Sequence, residues 1–197
     1  DTITGGAGSD VIHAGTGIDT VSYNGLSTDH AIAWNGTTGV ATVTGGSDTG
    51  LTGDVIDGAG KIQFTDHAVF LVGAGSDYTT IQAAIDAAAS GDVIMVAAGT
   101  YNENLSIAGK FITLQGVDDS GVNATTLTGQ ISASGTLDGA LTIQNMAIDA
   151  TGRPADYADE SMLQYLRTER IVAPYQTRGY KLVELVRIYE VGTEPRR

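Results

Sequence analysis

Aspartates at positions 1, 10 and 19 recur at an interval of nine, and the residues between them keep step: DTIT, then GGAGSDVIH, then AGTGIDTVS. Gly6, Gly8, Gly15 and Gly17 hold matching places, and Ile3, Ile12 and Val21 form one apolar column. Glycine adopts positive φ without steric cost, so it turns the chain where other residues strain. The register predicts tight Gly-rich turns, each followed by a strand of about three residues with its middle side chain inward. Strands this short cannot bury a face alone, so the turns must stack.

Stacking raises an electrostatic problem, because it brings aspartates and loop carbonyls into rows. Like charges in register repel, and burial pushes carboxylate pKa values up. A hard divalent cation resolves this, since calcium takes about six to eight oxygens from carboxylates and carbonyls alike.

The pattern resembles the G-G-x-G-x-D-x-U-x nonapeptide of RTX (repeats-in-toxin) calcium-binding proteins. The resemblance implies a parallel β-roll with Ca2+ between loops on the same side, two repeats apart. It implies Asp10 and Asp19 as ligands, with Asp1 at the matching place and Gly6, Gly8, Gly15 and Gly17 shaping the loops. It also implies that the loop at 5–10 faces YNGLSTD, a degenerate match ending in Asp29, and that one or two calcium sites form.

Composition fits such a chain. Glycine supplies 27 of 197 residues without a collagen period, and Ser, Thr, Asn and Asp are plentiful. Many turns between short apolar runs point to an all-β protein. A hydrophobic content of 42% argues against disorder. The net charge of −13 is uneven: residues 1–152 carry sixteen acids against Lys61 and Lys110, whereas residues 153–197 carry seven acids against eight bases. An acidic body without Lys/Arg clusters excludes nucleic acid as a natural partner. Cysteine is absent, and no apolar run approaches the roughly 20 residues of a membrane helix. The chain opens at Asp1 with neither Met nor signal peptide, and is expected to be a piece of a longer protein.

Residues 22–72 read as a capping segment. Hairpin-like runs (AIAW, GVATVTG) lead to QFTDHAVFL, which is similar to the stretch that closes RTX blocks. Asp54 and Asp57 read first as turn residues and second as further cation ligands. His13, His30 and His67 lack zinc spacing and read as solvated or core histidines.

GAGSD occurs again at 73–77, but Gln82 and Ala84 stand where the register needs glycine. This copy precedes a helix instead. Ile81, Ala84, Ile85 and Ala88 share one helical face, Thr79 with Gln82 fits a capping box, and Gly91 fits a C′ position. The identical letters therefore read as coincidence, or as shared ancestry without shared function.

After the helix come DVIMVAAGTY, ENLSI, KFITLQG, ATTLTG and ALTIQNMAI, short β-rich runs at wider spacing. Together with TIQAAIDAAASGD they resemble the opening coils of right-handed parallel β-helix proteins of the pectate-lyase and pectin-methylesterase-like superfamily. That resemblance implies a capping helix over the first coil, and it makes a polysaccharide lyase, an esterase or a carbohydrate-binding module the alternative reading. The residues themselves offer no carboxylate pair flanked by arginine, since no arginine precedes Arg153, and the Asp118–Asp119 pair reads as a turn.

From Gly152 the texture changes to a basic, tyrosine-rich tail. An amphipathic helix is expected near 157–171, and a strand over YKLVELVRIYEV. The expected organisation is thus a β-roll with its closing segment over 1–72, a β-helix opening over 73–152, and a tail of mixed or undefined fold over 153–197. The function expected is a calcium-binding, structural or adhesive segment of a large secreted bacterial protein, exported by type I secretion. Its partners would be calcium and, second, an extracellular polysaccharide, with no membrane span and with oligomeric state left open.

Overall fold

The computed structural model describes residues 1–46, 52–117, 125–134 and 141–149. The expectations for Asp118, Asp119 and the tail lie outside these residues. The described chain is mostly strand, with one α-helix, and is all-β as expected.

The repeat stretch forms β1 (Thr2–Ile3), β2 (Val11–His13) and β3 (Thr20–Ser22). β1 and β3 pair in parallel, Thr2 opposite Thr20 and Ile3 opposite Val21, while β2 lies in a different sheet. The ninefold register thus places successive strands on alternating sheets. Its apolar column turns inward, with Ile12 and Val21 buried and Ile3 packed against the same core.

A short 3-10 turn at Ser27–Asp29 leads into β4 (His30–Asn35) and β5 (Val40–Gly45), an antiparallel hairpin. β6 (Asp54–Asp57) then runs antiparallel to β5 and parallel to β2, Ile56 facing Ile12. These four strands form one sheet in the order β2-β6-β5-β4. β7 (Lys61–Gln63) returns beside β3 in parallel, and β8 (Ala68–Val72) pairs antiparallel to β7.

The helix α1 (Ile81–Ala87) follows. Its expected apolar face is its buried face: Ile81, Ala84, Ile85 and Ala88 are all buried. The caps differ from expectation. Thr80, not Thr79, is the N-cap, its hydroxyl accepting from the Ala83 N–H at 3.3 Å. The Gln82 side chain turns away to Asp86 and Ser106. Glu103, distant in sequence, takes the Ile81 and Gln82 N–H groups with both carboxylate oxygens at 2.9 Å. At the other end the C-cap is Ala88, and the Lys110 ammonium reaches the carbonyls of Ile85, Asp86 and Ala88. Gly91 has φ +95° but lies beyond the cap. A long-range acid at the N-terminus and a base at the C-terminus match the helix dipole, which local reading could not locate.

The remaining strands are β9 (Val93–Val96), β10 (Gly99–Tyr101), β11 (Leu105–Ala108), β12 (Thr113–Gly116), β13 (Thr125–Thr128), β14 (Ile131–Ser134), β15 (Thr142–Gln144) and β16 (Ala147–Asp149). They visit three sheets in turn and then return: β9, β12 and β15 pair in parallel, as do β10, β13 and β16, and β11 with β14.

One sheet runs through both halves, in the order β1-β3-β7-β8-β9-β12-β15. β8 pairs with β9 in parallel, Phe70 opposite Ile94. This sheet is a wall between two cores. Phe70, Val72, Ile94 and Val96 face one core with the helix, and Val69, Leu71 and Met95 face the other with Val21, Ile56 and Trp34. Burial on both faces explains why AVFLV is uniformly apolar instead of alternating.

Candidate functional site

Gly6, Gly8, Gly15 and Gly17 have φ of +92°, +126°, +101° and +120°. A Cβ on any of the four would meet nothing within 4 Å, so conformation rather than space requires glycine there. Gly5 differs. A Cβ there would lie 3.0 Å from Asp10 Oδ2 and 3.3 Å from Asp54 Oδ2, so two carboxylate oxygens border the same small volume.

The repeat aspartates separate into two groups. Asp1 and Asp19 lie together, Thr20 N–H bonding to the Asp1 carbonyl at 2.8 Å. Asp10 heads β2 in the other sheet. Its loop faces Thr52–Asp54, not Asp29, whose carboxylate stays local on the Leu26 N–H. Ser9 and Thr52 hydroxyls meet at 2.9 Å, and the Asp10 N–H donates to Asp54 Oδ1 at 2.9 Å. Asp54 is fully buried, and its second oxygen accepts from the Tyr23 hydroxyl at 2.8 Å. DVI stands at the head of both strands, at 10–12 and 54–56, but it also stands at 92–94 in β9, which pairs with β8 and β12, so the letters alone did not select this pairing.

The other group has the same construction. The Asp1 amino group lies 2.7 Å from Asp19 Oδ1, and the Asp19 N–H donates to Asp77 Oδ2 at 2.8 Å. Asp77 belongs to the second GAGSD. That copy does precede the helix, but its acid reaches back to the repeat block, a relationship the failed register concealed. In both groups a repeat aspartate gives its backbone N–H to a carboxylate supplied from outside the repeats.

Two of the three repeat aspartates keep one oxygen over. Asp10 Oδ2 and Asp19 Oδ2 are buried and have no hydrogen-bond partner, and Asp19 as a residue is 1% exposed. Two unit charges about 6 Å apart repel by roughly 3 kcal/mol at an effective dielectric of about 20. Carboxylate oxygens are of the kind that a hard cation takes, and calcium needs about six to eight such donors. Protein carboxylates come here in pairs: among the described residues no group of three or more His, Cys, Asp or Glu side chains converges as a metal site. Loop carbonyls and water would therefore complete any calcium shell.

The histidines lie elsewhere. Exposed His13 pairs with Asp57 at 2.7 Å, His30 packs between Tyr23 and Phe64, and His67 stands 3.9 Å from Asp66. Asp57 is occupied with His13, and Asp54 with Asp10 and Tyr23. The acids on which a lyase or esterase would rest, Asp118 and Asp119, lie outside the described residues. Among those residues no helix is long and apolar enough to cross a membrane.

No protein-family model, curated protein or solved structure matches this chain.

Proposed function

We propose that the chain is a calcium-binding β-solenoid segment of a secreted bacterial protein, structural or adhesive in role, whose folding is coupled to the ion. The observation that carries this reading is the pair of buried, unpartnered oxygens, Asp10 Oδ2 and Asp19 Oδ2, at the heads of stacked strands. The alternation of β1, β2 and β3 between sheets supports a parallel β-roll at the amino end. The three-sheet circuit from β9 to β16 supports a parallel β-helix after it.

Asp10 with Asp54 would hold one ion, and Asp19 with the Gly-rich loop at 14–19 a second. They would supply positive charge where the fold gathers carboxylates. At low calcium the acids repel and the loops loosen; in calcium-rich surroundings they close, and binding energy becomes folding energy.

The test is a melt of the full chain, followed by circular dichroism and by the fluorescence of Trp34, the only tryptophan, which is buried in the core that holds Ile12 and Val21. Millimolar calcium should raise the melting temperature and magnesium should do less. Equal curves in calcium and in chelator refute the reading.

A further inference from the structure

Asp77 is the one acid in this arrangement that serves two parts of the molecule. Its carboxylate caps the Asp19 N–H. Its neighbours enter the second core: Tyr78 is buried edge-on against Phe70 at 5.5 Å, and Thr80 caps α1. The loop carrying it is held by short-range bonds, with Ser76 Oγ donating to the Leu71 carbonyl and Gly73 N–H to the Tyr78 carbonyl at 2.9 Å. Space has been left for it, because a Cβ on Gly60 would lie 2.8 Å from Asp77 Cβ.

Charge around it is unbalanced. The cation nearest in sequence to Asp19 along the sheet, Lys61, holds its ammonium 5.7 Å over the Phe70 ring. Among the described residues the only ion pair of Asp19 is with the Asp1 amino group, and no cationic side chain pairs with Asp77. Among the described residues no basic side chain therefore balances either carboxylate, and the buried one keeps an oxygen with no partner.

We propose that Asp77 and Asp19 together bind a divalent cation, separate from the one at Asp10 and Asp54, and that this ion fastens the helix-capped core to the repeat block. The proposal rests on the calcium reading above and extends it. The ligands are the free Asp19 oxygen and the Asp77 carboxylate, with oxygens of water or main chain filling the remainder. Occupancy then propagates along residues 77–81 into α1, since these residues link the site to the core by adjacency alone.

The experiment uses the full chain and three variants, Asp77→Asn, Asp77→Ala and Asp10→Asn. Calcium titration by calorimetry counts sites, and hydrogen exchange reads α1 and β9 against β2. Asparagine keeps an acceptor for the Asp19 N–H but removes the charge, so it separates a ligand from a mere cap. In Asp77→Asn one calcium equivalent should weaken by roughly tenfold or more, and calcium should no longer slow exchange in α1 and β9. Calcium protection of β2 should persist in that variant and fall in Asp10→Asn. If Asp77→Asn binds and protects like the wild type while Asp77→Ala does not, Asp77 is only a cap and the proposal is overturned, with the calcium reading intact. If the wild type binds no calcium, both fall.

Discussion

The Asp77 carboxylate accepts the backbone N–H of Asp19 at 2.8 Å across 58 positions of sequence. That bond ties the repeat aspartates to the segment that begins the helix. Its geometry depends on Gly60, whose Cβ would also lie 2.9 Å from Asp77 Oδ2 and 3.0 Å from the Tyr78 ring. Gly60→Ala should therefore displace Asp77 and cost about 1–3 kcal/mol by overpacking. Urea unfolding checks the loss, and calcium should rescue less of it than in the wild type. A neutral result would mean that the loop has room to move.

Tyr23→Phe removes the hydroxyl that donates to Asp54 and keeps the ring. Asp54 is fully buried and, among the described residues, accepts two hydrogen bonds, one from Tyr23 and one from Asp10 N–H. Losing one leaves a buried carboxylate oxygen unpaired, at about 1–3 kcal/mol. A cation beside Asp54 would supply the missing positive charge, so the destabilisation should shrink at saturating calcium. The same loss in calcium and in chelator would place the ion away from Asp54.

How much of this was legible beforehand follows the range of the interactions. The register fixed at nine is local, and it foretold the strand heads, the positive-φ glycines and the inward column of Ile12 and Val21. The helical face of α1 was equally local. What the sequence did not disclose are partners brought in by the returning chain: Asp54 for Asp10, Asp77 for Asp19, Glu103 and Lys110 for the helix. Each is set by which strand lies next to which, and β6 reaches β2 only after the β4–β5 hairpin has turned back. DVI heads β2, β6 and β9 alike, so it did not single out the first pairing. Nothing in GAGSD distinguished an acid that opens a strand from one that reaches another loop.

The helix α1 has only seven residues, too few to persist without tertiary support. Lys110→Met should release three carbonyls at its end, and Glu103→Gln should weaken the two bonds at its start. Charge-assisted bonds of this kind contribute about 1.5–3 kcal/mol. Both variants should raise hydrogen exchange in Ile81–Ala87 while leaving β2 unchanged. Equal loosening of both regions would mean that the two cores open as one.

Acid and alkali should weaken different places. The Ser27 backbone N–H, with help from its hydroxyl, holds the Asp66 carboxyl below its ordinary 3.8. A depressed folded pKa means stability that is present above the unfolded value and lost as pH falls through the folded one. Below about 3.8 the turn at Ser27–Asp29 should therefore detach, and Asp66→Asn should flatten that acid limb of the melting curve. Burial, then the neighbouring acid, pushes Tyr78 and Tyr101 above 10.0. Their stabilisation is complete below 10.0 and declines as pH rises through the folded values. Tyr78→Phe should remove its share of the alkaline decline.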